Sequence, residues 1–143
     1  MLVSTKGRYA LRIMIDLAEH QSEGYIPLKE TADRQDISEK YLESILKILV
    51  RNKFVTGLRG KGGGYRLTRS PDQYTIGSIL QATELSLAPV SCLDPSQDSC
   101  PRKYGCRTLP VWQGLDKLIN DYLEGITLAD LLRPEEAGDD YVI

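Results

Sequence analysis

Cys92, Cys100 and Cys106 fall within fifteen residues of one another, and the 143-residue chain has no other cysteine. An odd number of cysteines cannot close a complete set of disulfides within one chain. Three thiolates on one loop can instead hold a soft metal or an iron–sulfur cluster, or can record oxidation directly. Asp94, Asp98 and Thr108 place oxygen donors close by in the sequence. The segment is rich in proline, glycine, aspartate and serine, the composition of a loop. Other chemistry is thinly represented. His20 is the sole histidine, no nucleophile–base pair is evident, and no cofactor fingerprint occurs, so an enzyme is not expected. Gly60-Lys61-Gly62-Gly63-Gly64 has the look of a phosphate cradle, but Tyr65 follows Gly64 where a P-loop needs lysine and a hydroxyl residue.

The elements that must position this loop can be read from periodicity. A helix is expected from a Thr5 cap to about Glu19, with Ala10, Ile13, Met14, Leu17 and Ala18 on its apolar face. After a break at 23–27, a short helix spans about Leu28 to Arg34, with Leu28, Thr31 and Ala32 turned inward. Gln35-Asp36-Ile37 turns the chain, and Ser38 caps a further helix with Leu42, Ile45, Leu46, Leu49 and Val50 as its buried stripe. Two short helices joined in this way form a helix-turn-helix. Residues 54–59 and 65–68 are β-rich and flank the glycine tip, which predicts a hairpin. The fold class is therefore mainly α with a small β-hairpin wing. Ile76 to about Glu84 reads as a short helix, and Pro110 opens a longer amphipathic one to about Glu124. Thr127 caps a final turn, with Asp130 at the capping-box position.

Helix-turn-helix followed by a glycine-tipped wing suits duplex DNA. Ser38, Lys40, Tyr41, Glu43 and Ser44 occupy the first turns and outer face of the second helix of the unit, from which such helices reach base edges. Lys40 suits a guanine edge or a phosphate, and Glu43, an acceptor only, suits the amino group of cytosine. Arg59, Gly60 and Lys61 form the base and tip of the wing, where an arginine can enter a narrow minor groove. Lys6 and Arg8 lie beside a helix start and suit phosphates. The charge distribution agrees: residues 1–75 hold 13 basic and 9 acidic side chains (+4), residues 76–143 hold 5 and 11 (−6). No stretch reaches the roughly 18 apolar residues of a spanning helix, and no signal peptide is evident. A soluble, cytoplasmic protein is the expectation.

Taken together, Ser4-Thr5-Lys6-Gly7-Arg8-Tyr9-Ala10, Ile37-Ser38-Glu39-Lys40-Tyr41-Leu42-Glu43, the wing sequence Val55 to Tyr65, the triple-cysteine loop and Ile126-Thr127-Leu128-Ala129-Asp130-Leu131 resemble the Rrf-two family of bacterial winged-helix regulators. The resemblance spans about residues 1–132. It implies a homodimer on a near-palindromic operator, paired through the long C-terminal helix. Val111, Leu115, Leu118, Tyr122 and Leu123 independently give that helix more apolar face than one small domain needs. The implied organisation is a DNA-binding winged helix over 1–84, a cysteine-containing cluster loop over 85–109, a dimerisation helix with its final turn over 110–132, and an acidic tail over 133–143.

The resemblance also implies that Cys92, Cys100 and Cys106 ligate an iron–sulfur cluster, with [2Fe-2S] favoured over [4Fe-4S]. The chain departs from the IscR type, which carries a histidine three residues after the last cysteine: Leu109 stands here. It also departs from nitric-oxide-sensing relatives, which carry an acidic residue at position 8: Arg8 stands here. His20 lies twelve residues further on, about 18 Å along a helix, and reads as a solvated helix-end residue. A fourth ligand is left to an oxygen of Asp94, Asp98 or Thr108, to a partner subunit, or to an added thiol. Zinc, direct thiol oxidation and no ligand at all are the competing readings of the three cysteines. The chain ends Asp139-Asp140-Tyr141-Val142-Ile143, similar to the C-terminal peptides that dock into cysteine synthase, a partner of the CymR type. The expected function is that of a transcription regulator, a repressor by preference, controlled by a cysteine-ligated cluster and governing iron–sulfur biogenesis or sulfur metabolism. The alternative is a CymR-type regulator acting through cysteine synthase.

Overall fold

Ser4, rather than Thr5, caps the first helix. Its hydroxyl accepts the Gly7 amide at 3.0 Å, and α1 runs Thr5–Glu19. The computed structural model describes residues 3–98 and 100–132. α2 (Leu28–Gln35) ends at Asp36, whose left-handed backbone (φ 53°) turns the chain into α3 (Glu39–Arg51). Ser38 caps α3 by accepting the Tyr41 amide at 3.2 Å, as its position in the sequence requires.

The hairpin is narrower than its β-rich sequence. β1 (Val55–Leu58) pairs antiparallel with β2 (Gly64–Leu67), with Val55 opposite Leu67 and Leu58 opposite Gly64. Ile26 extends the sheet by exchanging two backbone hydrogen bonds with Tyr65, at 2.8 and 2.9 Å. Gly64 is required at that seam: a Cβ there would lie 2.2 Å from the Ile26 carbonyl oxygen. The buried Tyr74 hydroxyl closes the base of the wing. It donates to the Phe54 carbonyl at 2.7 Å and accepts the Thr68 and Arg69 amides, both at 3.1 Å.

Ala10, Ile13, Met14 and Leu17 of α1 meet Leu42, Ile45, Leu46 and Leu49 of α3 in the main core, together with Val55, Tyr74 and Leu128. Complete burial of each large apolar side chain stabilises by about 1.5–3 kcal/mol. Val50, expected on this stripe, is instead exposed, because it lies one step around α3 from Leu49. Within α1 the buried Asp16 would be costly unpaired. Arg34 meets it through two hydrogen bonds of 3.0 and 2.8 Å, and Gln35 donates at 2.9 Å, so α1 is locked to α2.

α4 (Ile76–Thr83) is capped by Thr75, which accepts the Ser78 amide at 3.0 Å. Ile76, Leu80 and Leu87 form a second, smaller core against which Leu11, Leu123 and Ile126 pack. α5 (Leu109–Glu124) follows the cysteine loop, with Pro110 in its first turn. Thr127 and Asp130 exchange the reciprocal bonds of a capping box, at 2.9 and 3.2 Å. They start a 3-10 turn, Ala129–Leu131. No helix among the described residues is long and apolar enough to cross a membrane.

Candidate functional site

Cys92 lies on the 3-10 turn Ser91–Leu93 and Cys106 directly follows the 3-10 turn Lys103–Gly105, while Cys100 lies in the stretch between them, which has no regular structure among the described residues. Cys92, Cys100 and Cys106 are all free, and all three line one cavity of about 300 Å³. Leu93, Asp94, Pro95, Gln97 and Lys103 of the loop also line it, as do Leu109 and Gln113 of α5. The first turn of α5 is therefore part of the thiol site. Leu109, at the position of the expected fourth ligand, faces the same cavity as the thiols. Asp94 also lines it, although its Oδ1 already accepts the Ser96 amide and hydroxyl, at 2.9 and 2.7 Å.

Thr108 contacts Cys106 directly. Its hydroxyl lies 3.4 Å from Cys106 Sγ. That hydrogen bond, followed by the Thr108 and Leu109 amides, outweighs the small effect of desolvation and holds the Cys106 thiol below the usual thiol range. The residues thus supply soft, ionisable donors. Among the described residues, no three His, Cys, Asp or Glu side chains converge tightly enough for a single ion. His20 lies away from this cavity, at the end of α1, with Nδ1 2.8 Å from the Asp16 carbonyl oxygen.

The second constellation belongs to the first half of the chain. Ser38, Lys40, Glu43 and Ser44 are exposed along the first two turns of α3, while Leu42, Ile45 and Leu46 point into the core. Glu43 has Lys47 3.8 Å away, so the acidic side chain on this face is partly balanced. The Ser44 hydroxyl donates to the Tyr41 carbonyl at 2.6 Å. Tyr41 itself is half-buried and packs edge-to-face on Tyr9 at 5.7 Å, so it joins α3 to α1 as well as facing outward. The Arg12 guanidinium also packs on the Tyr9 ring, 4.8 Å from its centre, and hydrogen-bonds to Gln35. The Tyr41–Tyr9–Arg12–Gln35 series joins three helices, so no local signal in the sequence reveals it. Arg59, Gly60 and Lys61 are exposed at the wing tip, where Gly60 turns the chain with φ 91°. Arg8 is exposed and bonds Thr5 at 3.1 Å, while Lys6 is half-buried.

Along α5, Val111, Leu118 and Tyr122 are 59%, 68% and 69% exposed, and Leu115 is exposed beside them. Leu123 faces the other way, onto the small core of its own chain. Tyr141, Val142 and Ile143 lie outside the described residues.

A helix-turn-helix with a glycine-tipped wing, a thiol-lined cavity and a long unburied helix define a winged-helix transcription regulator. Known proteins agree. The chain matches the Rrf2 (Rrf-two) family, "Iron-dependent Transcriptional regulator", over residues 3–134. The chain belongs to that family. It is 37% identical over 139 residues to the HTH-type transcriptional regulator IscR of Sodalis glossinidius (strain morsitans), covering 97% of this chain and 83% of the relative. The solved structure of T. potens IscR matches with a TM-score of 0.70 and 38% identity, over 92% of this chain and 85% of that one. The structure of CymR (YrzC), the global cysteine regulator of B. subtilis, matches with a TM-score of 0.74 and 36% identity, over 92% and 95%. These relatives are transcription regulators, not enzymes.

Proposed function

We propose that this transcription regulator is a homodimeric repressor whose operator affinity follows the state of an iron–sulfur cluster held by Cys92, Cys100 and Cys106. One observation carries the reading: three free thiols line a single cavity that Leu109 and Gln113 of α5 also line. The donor set fits the group. Three cysteine thiols lining one cavity of about 300 Å³ are the soft donors that iron–sulfur centres take, and [2Fe-2S] is the preferred type. When bound, such a centre supplies redox and ligand-loss chemistry. With Leu109 offering no donor, Asp94 is the oxygen ligand best placed by this chain.

Several features support the remaining roles. Ser38, Lys40, Tyr41, Glu43 and Ser44 read bases, Arg59, Gly60 and Lys61 follow the minor groove, and Lys6 and Arg8 hold phosphates. Val111, Leu115, Leu118 and Tyr122 recur at intervals of four, three and four residues, the spacing of a two-helix seam, and all four are exposed. Leu123, half-buried, packs on the small core of its own chain, and the proposed seam rests on the other four. Reordering of residues 92–106 then shifts the start of α5, and with it the separation of the two α3 helices in the dimer.

The test is the visible spectrum of protein purified without oxygen. Bands at roughly 320–460 nm, as cysteine-ligated clusters give, are expected, and they should vanish when Cys106 is replaced by Ser. Colourless protein with stoichiometric zinc overturns the reading. A second reading rests on the likeness to the B. subtilis cysteine regulator and on the acidic end of the sequence, Asp139 to Ile143. In it, Tyr141, Val142 and Ile143 dock into cysteine synthase. Deleting these three residues should abolish co-purification with the synthase, and unchanged binding discards it.

A further inference from the structure

Gly7 and Gly77 stand in the first turns of α1 and α4 without positive φ, so backbone geometry does not call for them. Glycine is also a poorer helix former than alanine. What they share is a glutamate from another part of the fold. A Cβ on Gly7 would lie 2.1 Å from Glu84 Oε1, and a Cβ on Gly77 would lie 2.4 Å from Glu124 Oε1. The glycines leave room for two carboxylates.

Each carboxylate does the same work. Glu84 Oε1 accepts the amide of Ser4 at 2.9 Å and its hydroxyl at 2.7 Å, while that hydroxyl accepts the Gly7 amide. Glu124 Oε2 accepts the Thr75 hydroxyl at 2.9 Å, while that hydroxyl accepts the Ser78 amide. In both places a glutamate at the C-terminal end of one helix grips the hydroxyl cap at the N-terminal end of another. The negative charge also meets the positive end of the gripped helix. α4 takes part in both grips. It is held at its start by the last residue of α5, and through its C-cap, Glu84, it holds the start of α1.

We propose that Glu84 and Glu124 are positioning residues for DNA binding, two clasps in series that carry the placement of α5 and the thiol loop to Lys6 and Arg8. The chain leaves Glu84 directly toward Cys92, and α5 leaves the thiol cavity toward Glu124. Both routes out of the sensing site therefore end on α4, and α4 ends on the first turn of α1. This rests on the DNA reading above.

The test uses the full chain and a duplex enriched by the wild-type protein from a random-sequence pool. Glu84→Ala and Gly7→Ala should each weaken binding about 10-fold, and the slope of log affinity against log salt should fall by about 1 for each phosphate no longer held. Glu84→Gln keeps the acceptor and the fold but not the charge, and should lose only about 3-fold. In a Lys6→Ala/Arg8→Ala background, Glu84→Ala should have no further effect. Wild-type affinity and salt slope in Glu84→Ala, or losses that simply add to those of Lys6 and Arg8, overturn the clasps alone. A wild-type protein that enriches no duplex overturns the DNA reading and the clasps together.

Discussion

α3 and α5 are both amphipathic, and they finish differently. α3 has 13 residues and buries Leu42, Ile45, Leu46 and Leu49 within its own chain. α5 has 16 residues, all described, and none is fully buried. Its Ile119 and Leu123 are half-buried, while Val111, Leu115, Leu118 and Tyr122 stand exposed along another face. An amphipathic helix gains its stability chiefly from packing its apolar face. α3 is thus packed within one copy, whereas α5 leaves an apolar face uncovered. The difference marks α5 as the helix on which the proposed pairing would rest.

The comparison can be broken most sharply on α5. Leu118→Asp would put a desolvated charge into the seam of each copy, and the dimer should dissociate at about 100-fold higher protein concentration than wild type. Sedimentation would show this while circular dichroism stays unchanged. A wild-type chain that sediments as a monomer would remove the contrast altogether. Next comes the converse on α3. Ile45→Ala should cost about 2–5 kcal/mol in urea unfolding, because it leaves a cavity in the main core. A loss as small as a surface change would mean that α3 too is finished by a partner.

The smallest expected effect sharpens the charged side of the comparison. Asp16 is 2% exposed. Burial raises its pKa, but the hydrogen bonds from Arg34 and Gln35 and the Arg34 charge outweigh this and hold it below the ordinary carboxylate value. A depressed folded-state pKa gives stability that is present above the unfolded value of about 3.9 and is lost as pH falls through the folded one. Wild type should therefore exceed Asp16→Asn by about 2 kcal/mol at neutral pH, and the gap should close as the pH falls below about 4. Calorimetry across that range checks the sign, and a gap that widens in acid contradicts it.

Much of this arrangement was legible because its signals are local. Ser38 and Pro110 mark helix starts, the glycine run marks the wing, and three cysteines within fifteen residues mark the loop. What escaped is non-local. Thr5 looks as good a cap as Ser4 until Glu84, eighty residues away, is seen gripping Ser4. Tyr74 gives no sequence sign that its hydroxyl holds Phe54, Thr68 and Arg69 together. Asp16 is visible as a charge beside the apolar stripe, but its partners lie on another helix. In the site, the cysteines stand out from spacing alone. That Leu109 and Gln113 wall the same cavity depends on how α5 meets the loop, which periodicity does not encode.

Leu128 is 0% exposed and belongs to the main core formed by α1 and α3. Its amide bonds the Tyr74 carbonyl at 2.9 Å, and the neighbouring Ile126 carbonyl accepts the Ile76 amide at 2.9 Å. During synthesis, which proceeds from the N-terminus at roughly 5–20 residues per second, the main core lacks Leu128 until residue 128 has been added. By then the whole of α5 has been made. A nascent or prematurely terminated chain therefore lacks one buried member of the main core, and any copy that completes that core already carries α5.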